Sequence, residues 1–212
     1  MLTMRGALAA TVPVVLALAV ATPAGAQFSD TYNFFKHVKA RKAFEAVKII
    51  GEAGSAVVNL KDPDSGDTAL IMVTRGRDLG WMQLLISKGA DVNGKARDGN
   101  TALTIAANLG FSDGVRLLIR NDARVDLQNA SGETALIKAV QAHDLQTVRV
   151  LVDAGANADK SDSITGKSAR DYSLADSRRY AAIAKAIKDG PQKAEAAPAA
   201  NAALPGISPS KP

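Results

Sequence analysis

The chain has 212 residues, 47% of them apolar but only 4% aromatic, so one domain with tails must build its core from Ala, Val, Leu and Ile. That mixture favours close-packed helices over a sheet. Cysteine is absent, which excludes disulfides, thiol catalysis, a cysteine-based zinc site and a lipid anchor on a mature N-terminal cysteine; the net charge of +5 comes from 26 basic residues mixed among 21 acidic ones, a pattern that reads as a solvated surface.

In chain order, the first segment is a targeting signal. Arg5 supplies a short positive region, an apolar run of 15 residues covers 7–21, and Ala24, Gly25 and Ala26 form an A-x-A site before Gln27. This is the layout of a secretory signal peptide over 1–26. The run is shorter than the roughly 18 residues that a membrane span needs; an uncleaved anchor is the alternative reading. Paired arginines and a lipobox cysteine are both missing, so Sec-type export to the periplasm or medium is expected, with cleavage after Ala26. Residues 29–63 follow as a cap, with Phe34, Phe35, Val38, Phe44, Val47, Ile49 and Ile50 expected inward and Lys36, Lys39, Arg41 and Lys42 towards water.

The centre of the chain repeats. "SGDTAL" at 65–70, "DGNTAL" at 98–103 and "SGETAL" at 131–136 place Gly66, Gly99 and Gly132 at intervals of 33, with Thr68, Thr101 and Thr134 in step. "LLISKGADVN" at 84–93, "LLIRNDARVD" at 117–126 and "VLVDAGANAD" at 150–159 keep the same period. A degenerate fourth copy has Gly166 and Ser168 displaced by 34. Each glycine suits a turn needing positive φ, and each Thr or Ser suits the N-cap of a short, small-residue helix. A second helix follows with apolar residues three and four apart: Leu79, Met82, Leu85 and Ile86; Val115, Leu118 and Ile119; Leu145, Val148, Leu151 and Val152. Gly89 and Gly155 are expected to close it in the left-handed position, and Asp122 takes that role in copy two. Gly80 and Gly114 fall inside second helices, at a cost of about 1 kcal/mol each relative to alanine. One pair buries too little alone; a stack makes a continuous core.

These motifs resemble the ankyrin repeat family: the turn, the "TAL" start, the "LL" of the second helix and the "GADVN" ending. The family's T-P-L-H reads here as "TALI", "TALT" and "TALI", with alanine for the N1 proline and no histidine to tie neighbouring turns. The resemblance implies an all-α solenoid of stacked helix-turn-helix units with β-turn tips. Three repeats at 64–96, 97–129 and 130–163 would stand between degenerate caps at 29–63 and 164–189. Tyr180, Ile183 and Ile187 are expected inward in the last cap. From Gly190 the Ala- and Pro-rich stretch to 212 has no period and is expected to remain a disordered tail.

Chemical motifs give way to this register. "TGKS" at 165–168 lacks the glycine that a phosphate loop needs at Ser161. "DPDSGD" at 62–67 would need a glutamate where Val73 stands to be a calcium loop. His37 and His143 share no spacing, and Trp81 reads as packing. Arg178, Arg179, Lys185 and Lys188 read as a solvated cap face. No nucleophile, base and orienting group can be assembled, so a catalytic, cofactor or metal site is not expected.

The resemblance implies that turn tips and first helices line a concave side where partners bind. Carried over by position, the tip candidates are Asp64, Ser65 and Asp67; Arg97, Asp98 and Asn100; and Asn129, Ser131 and Glu133. The first-helix candidates are Arg75, Asn108, Leu109 and Gln141. They vary between copies while the framework does not. The expectation is a non-catalytic periplasmic scaffold, monomeric, binding a protein partner and no small-molecule substrate, without stable membrane insertion after cleavage. The alternative is an adaptor for an anionic envelope polymer or nucleic acid, held by the basic flanks.

Overall fold

The computed structural model describes residues 24–176 and 178–190. Among them are ten α-helices, a 3-10 turn Ser55–Asn59 and no strand. The helices come in five neighbouring pairs. They are α1 (Ala24–Lys39) with α2 (Ala43–Ala53), α3 (Ala69–Arg75) with α4 (Leu79–Ser87), and α5 (Ala102–Asn108) with α6 (Ser112–Arg120). The last two are α7 (Ala135–Gln141) with α8 (Leu145–Asp153), and α9 (Ala169–Leu174) with α10 (Ala181–Asp189). The first helices α1, α3, α5, α7 and α9 stack in one row; α4, α6, α8 and α10 stack in a second. The result is an all-α solenoid, as the repeat implied.

Local chemistry explains the boundaries. The hydroxyls of Thr68, Thr101, Thr134 and Ser168 accept hydrogen bonds from the amides of Ile71, Thr104, Ile137 and Asp171 at 3.2–3.3 Å, satisfying first-turn amides that a helix leaves open. Second helices are capped by Asp78 and Asp144, which accept from the amides of Trp81 and Thr147. In α6 that place is taken by Phe111, with no side-chain cap. Its ring packs on Gly114, where an added Cβ would lie 2.6 Å from Phe111 Cε1. Gly80 has open space, its nearest neighbour being Asp78 Oδ1 at 3.6 Å. Gly80→Ala is therefore expected to raise stability by about 1 kcal/mol in urea titration. Gly114→Ala is expected to lower it, because the ring must move.

Leu70, Ile71, Leu103, Leu136 and Ile137 from first helices interlock with Met82, Leu85, Val115, Leu118, Val148 and Leu151 from second helices, all buried. Trp81 is buried too, in keeping with a packing role. Phe34, Phe35 and Val38 close the N-terminal end, and Ile183 and Ile187 the C-terminal end, with Tyr180 half-buried. Phe44 departs from expectation: it is 81% exposed. Ala46 and Ile50 carry the inward face of α2, and Phe44, two residues earlier, points roughly 200° away from Ala46. The Thr147 hydroxyl is buried without a hydrogen-bond partner. Thr147→Val keeps the shape and removes that orphan, so thermal unfolding should show a gain of about 1 kcal/mol.

The targeting segment expected over 1–26 lies outside the described residues except for 24–26, where α1 begins. The tail expected from Gly190 lies outside them from 191 onward. Among the described residues no helix is long and apolar enough to cross a membrane.

Candidate protein-interaction face

The first helices α3, α5, α7 and α9 are each entered through a turn, and three of these turns are pinned by an antiparallel bridge: Lys61 with Thr68, Lys95 with Thr101, and Ser161 with Ser168. The first and fourth turns are one residue longer than the second, which accounts for the displaced Gly166. In each longer turn an aspartate fills the extra space. Asp62 accepts from Ser65 N at 3.1 Å, Ser65 Oγ at 2.8 Å and Lys39 Nζ at 3.1 Å. Asp162 accepts from Ile164 N, Thr165 N, Thr165 Oγ1 and Tyr172 Oη at 2.5–2.9 Å. Burial is the largest influence on Asp162 and opposes its charge, but the bonds from Thr165, Tyr172 and Ile164 outweigh it and bring the pKa down to about 2. Asp62 is lowered for the same reasons, with burial again opposed by Ser65 and Lys39.

The repeats are laced together along two lines. On the loops after the second helices, Asn59, Asn93 and Asp126 accept from the amides of Asp91, Arg124 and Asn157 in the next copy. At the tips, Ala130 N donates to Asp98 O and Ser163 N to Ser131 O.

Against that scaffold the predicted binding residues divide. Several are committed internally. Ser65 bonds Asp62 and receives Asp67 N; Asp67 receives Arg75 Nε at 2.8 Å. Asp98 accepts from the backbone amide and Nδ2 of Asn100 at 3.0 and 2.7 Å. Asn129 Nδ2 donates to Asn100 Oδ1 and Glu133 Oε2, while its Oδ1 accepts from the amides of Ser131 and Glu133. Glu133 pairs with Lys138 at 2.6 Å and bonds Gln141. Leu109 is half-buried against the core, and its carbonyl accepts from Arg77. Asp64 is exposed and pairs loosely with Lys39. Arg97 and Asn108 are exposed, and neither side chain has a hydrogen bond or ion pair among the described residues. Arg75, Asn108 and Gln141 occupy corresponding ends of α3, α5 and α7, so the structure does bring them into one row.

Two residues on this face escape the sequence reasoning. Lys138 locks Glu133. Ile164, at the fourth tip where the first has Asp64, is 77% exposed; an apolar residue inside "SDSITGKS" is the available signal. His143, by contrast, belongs to the framework: it holds a positive φ of 57° between α7 and α8 and stacks on Tyr180 at 4.5 Å. Gly166 and Ser168 of "TGKS" serve the fourth turn, the first with a φ of 69° and the second as the cap of α9. Arg178, Arg179, Lys185 and Lys188 are exposed. The face as a whole presents Arg97 and Asn108 to solvent among turn residues held by internal bonds.

The paired helices, capped turns and two lines of inter-repeat bonds define a helix-pair repeat protein. The family profile described as ankyrin repeats (3 copies) matches residues 35–129, 75–162 and 105–193. The chain belongs to the ankyrin repeat family. Ankyrin repeats generally mediate protein–protein interaction, and the family is typically a non-catalytic scaffold. No curated protein matches the chain.

Proposed function

We propose that this protein is an exported bacterial scaffold that binds a partner protein in the periplasm, on the face formed by turn tips and first-helix ends. One observation carries the choice of face. Arg97 and Asn108 stand exposed and uncommitted there, amid neighbours whose side chains are fixed by internal bonds. Presenting free polar groups from an ordered support lowers the entropy lost on binding. The signal-peptide layout of the first 26 residues supports export.

Affinity purification from periplasmic extract, with mass spectrometry, tests the reading. The wild-type chain should capture a protein that Arg97→Ala/Asn108→Ala does not, with the circular dichroism of the variant unchanged. Equal capture by both chains would remove this face from the proposal. A steep loss of binding with added salt would favour an anionic polymer on the basic flanks instead. Fractionation with and without residues 1–26 tests the compartment, and cytoplasmic retention of the intact chain would overturn it.

A further inference from the structure

We infer that the cleft between the first two turns takes a carboxylate from an acidic segment of the protein partner; the inference rests on the protein-binding reading above. The three turn junctions are not alike. Between turns two and three, and between turns three and four, a backbone amide of the later turn donates to a carbonyl of the earlier one. At the first junction no such bond joins Arg97 to the first turn. That turn carries an extra residue ahead of Gly66, and Pro63 stands within it. A cleft of about 410 Å³ opens there, lined by Ser65, Asp67, Arg75, Ala96, Arg97 and Asp98.

The polar groups of this cleft are nearly all matched. Arg75 and Asp67 hold each other, Asp98 is held by Asn100, and Ser65 is held by Asp62. Arg97 is the exception: its guanidinium has no acceptor among the described residues. Gly66 gives it room, since a Cβ there would stand 3.0 Å from both Cβ and Nε of Arg97. A guanidinium favours a planar, two-oxygen acceptor. Asp67 is buried against Arg75, which leaves the exposed Asp98 carboxylate on the rim to repel a doubly charged phosphate more strongly than a singly charged carboxylate. A single carboxylate therefore fits best. The cleft is open and bordered by Arg75 at the end of α3, the helix next to the one that ends at Asn108, so a free small acid would keep most of its surface in water. A side-chain carboxylate on a segment lying across the face would not.

Selection of a random-peptide display library on the full chain, followed by fluorescence anisotropy of the recovered peptides, tests the inference. The recovered peptides should carry Asp or Glu. Arg97→Gln should weaken them at least about tenfold, and Arg116→Gln on the opposite row should not. Amide versions of the acidic residues should bind the wild-type chain as weakly as the acidic peptides bind Arg97→Gln, and should lose little more to that substitution. Three results would overturn the inference: peptides without acidic residues, acidic peptides indifferent to Arg97→Gln, or no recovered peptide. Neutral peptides weakened by Asn108→Ala would leave the protein-binding face standing while removing its carboxylate.

Discussion

Gly132→Ala is expected to cost about 2–5 kcal/mol, from a backbone conformation of about 1–2 kcal/mol and overpacking of about 1–3 kcal/mol. Gly132 holds a φ of 74°, a region that side chains enter only with strain. A Cβ there would also stand 2.5 Å from Ser163 N, the amide that donates to Ser131 O and ties the third turn to the fourth. The fourth turn must retreat or that bond must break. Gly166→Ala supplies the control. Its φ of 69° is similar, but no atom lies within 4 Å of the added Cβ, so only the conformational part, about 1–2 kcal/mol, should be lost. Urea titration of both variants should show the larger drop in midpoint for Gly132→Ala. Equal drops would contradict the stacking of turn on turn.

Asp162→Ala is expected to cost about 1–3 kcal/mol, because it removes a buried carboxylate that accepts four hydrogen bonds and ties the fourth turn to α9. Ile164 N and Thr165 N lose this acceptor, while Thr165 Oγ1 and Tyr172 Oη, 2.9 Å apart, keep only each other. The pH dependence has a definite sign. The pKa in the folded chain is about 2, against an ordinary value of 3.8. A lowered pKa means that the unfolded chain binds the proton first, so the contribution is complete above 3.8 and fades as the pH falls towards 2. Asp62, lowered in the same direction, adds to that acid sensitivity. Thermal unfolding followed from neutral pH into this window should give a flatter profile for Asp162→Ala than for the wild-type chain. Parallel profiles would show that the carboxylate is not held as described.

The architecture is legible in the sequence because it is periodic. Gly66, Gly99 and Gly132 at intervals of 33 mark the turns, and Thr68, Thr101 and Thr134 mark the helix starts. The caps, the left-handed Gly89, Asp122 and Gly155, and the buried stripe of the second helices all follow from local rules that hold residue by residue. Phe44 escapes those rules because the degenerate N-terminal cap offers no second copy to fix the helical register. Its apolar character alone points it inward, whereas Ala46 and Ile50 define the buried side of α2. The face is legible only in outline. Variation between copies picks out Asn100, Asn129 and Glu133 alongside Arg97 and Asn108. Asn129 bonds Asn100 across turns, Glu133 bonds Asn129 within the third turn, and Lys138 pairs with Glu133 from α7. The Asn100–Asn129 bond depends on how neighbouring repeats meet, and the two local bonds depend on rotamers that composition and period do not fix. The same holds for the first junction, where no backbone bond joins Arg97 to the first turn, although the fourth turn, of the same length, is bonded to its neighbour.

The central claim is that a protein partner lies across the turn tips and first-helix ends. Photocross-linking in living cells, from a benzophenone-bearing residue placed at Asn108 and separately at Arg116, tests it whatever the partner is. Asn108 ends α5 in the first row, and Arg116 is exposed on α6 in the second. A discrete protein adduct should form from position 108 and not from position 116. Adducts from position 116 alone, or none from position 108, would contradict the assignment of the face.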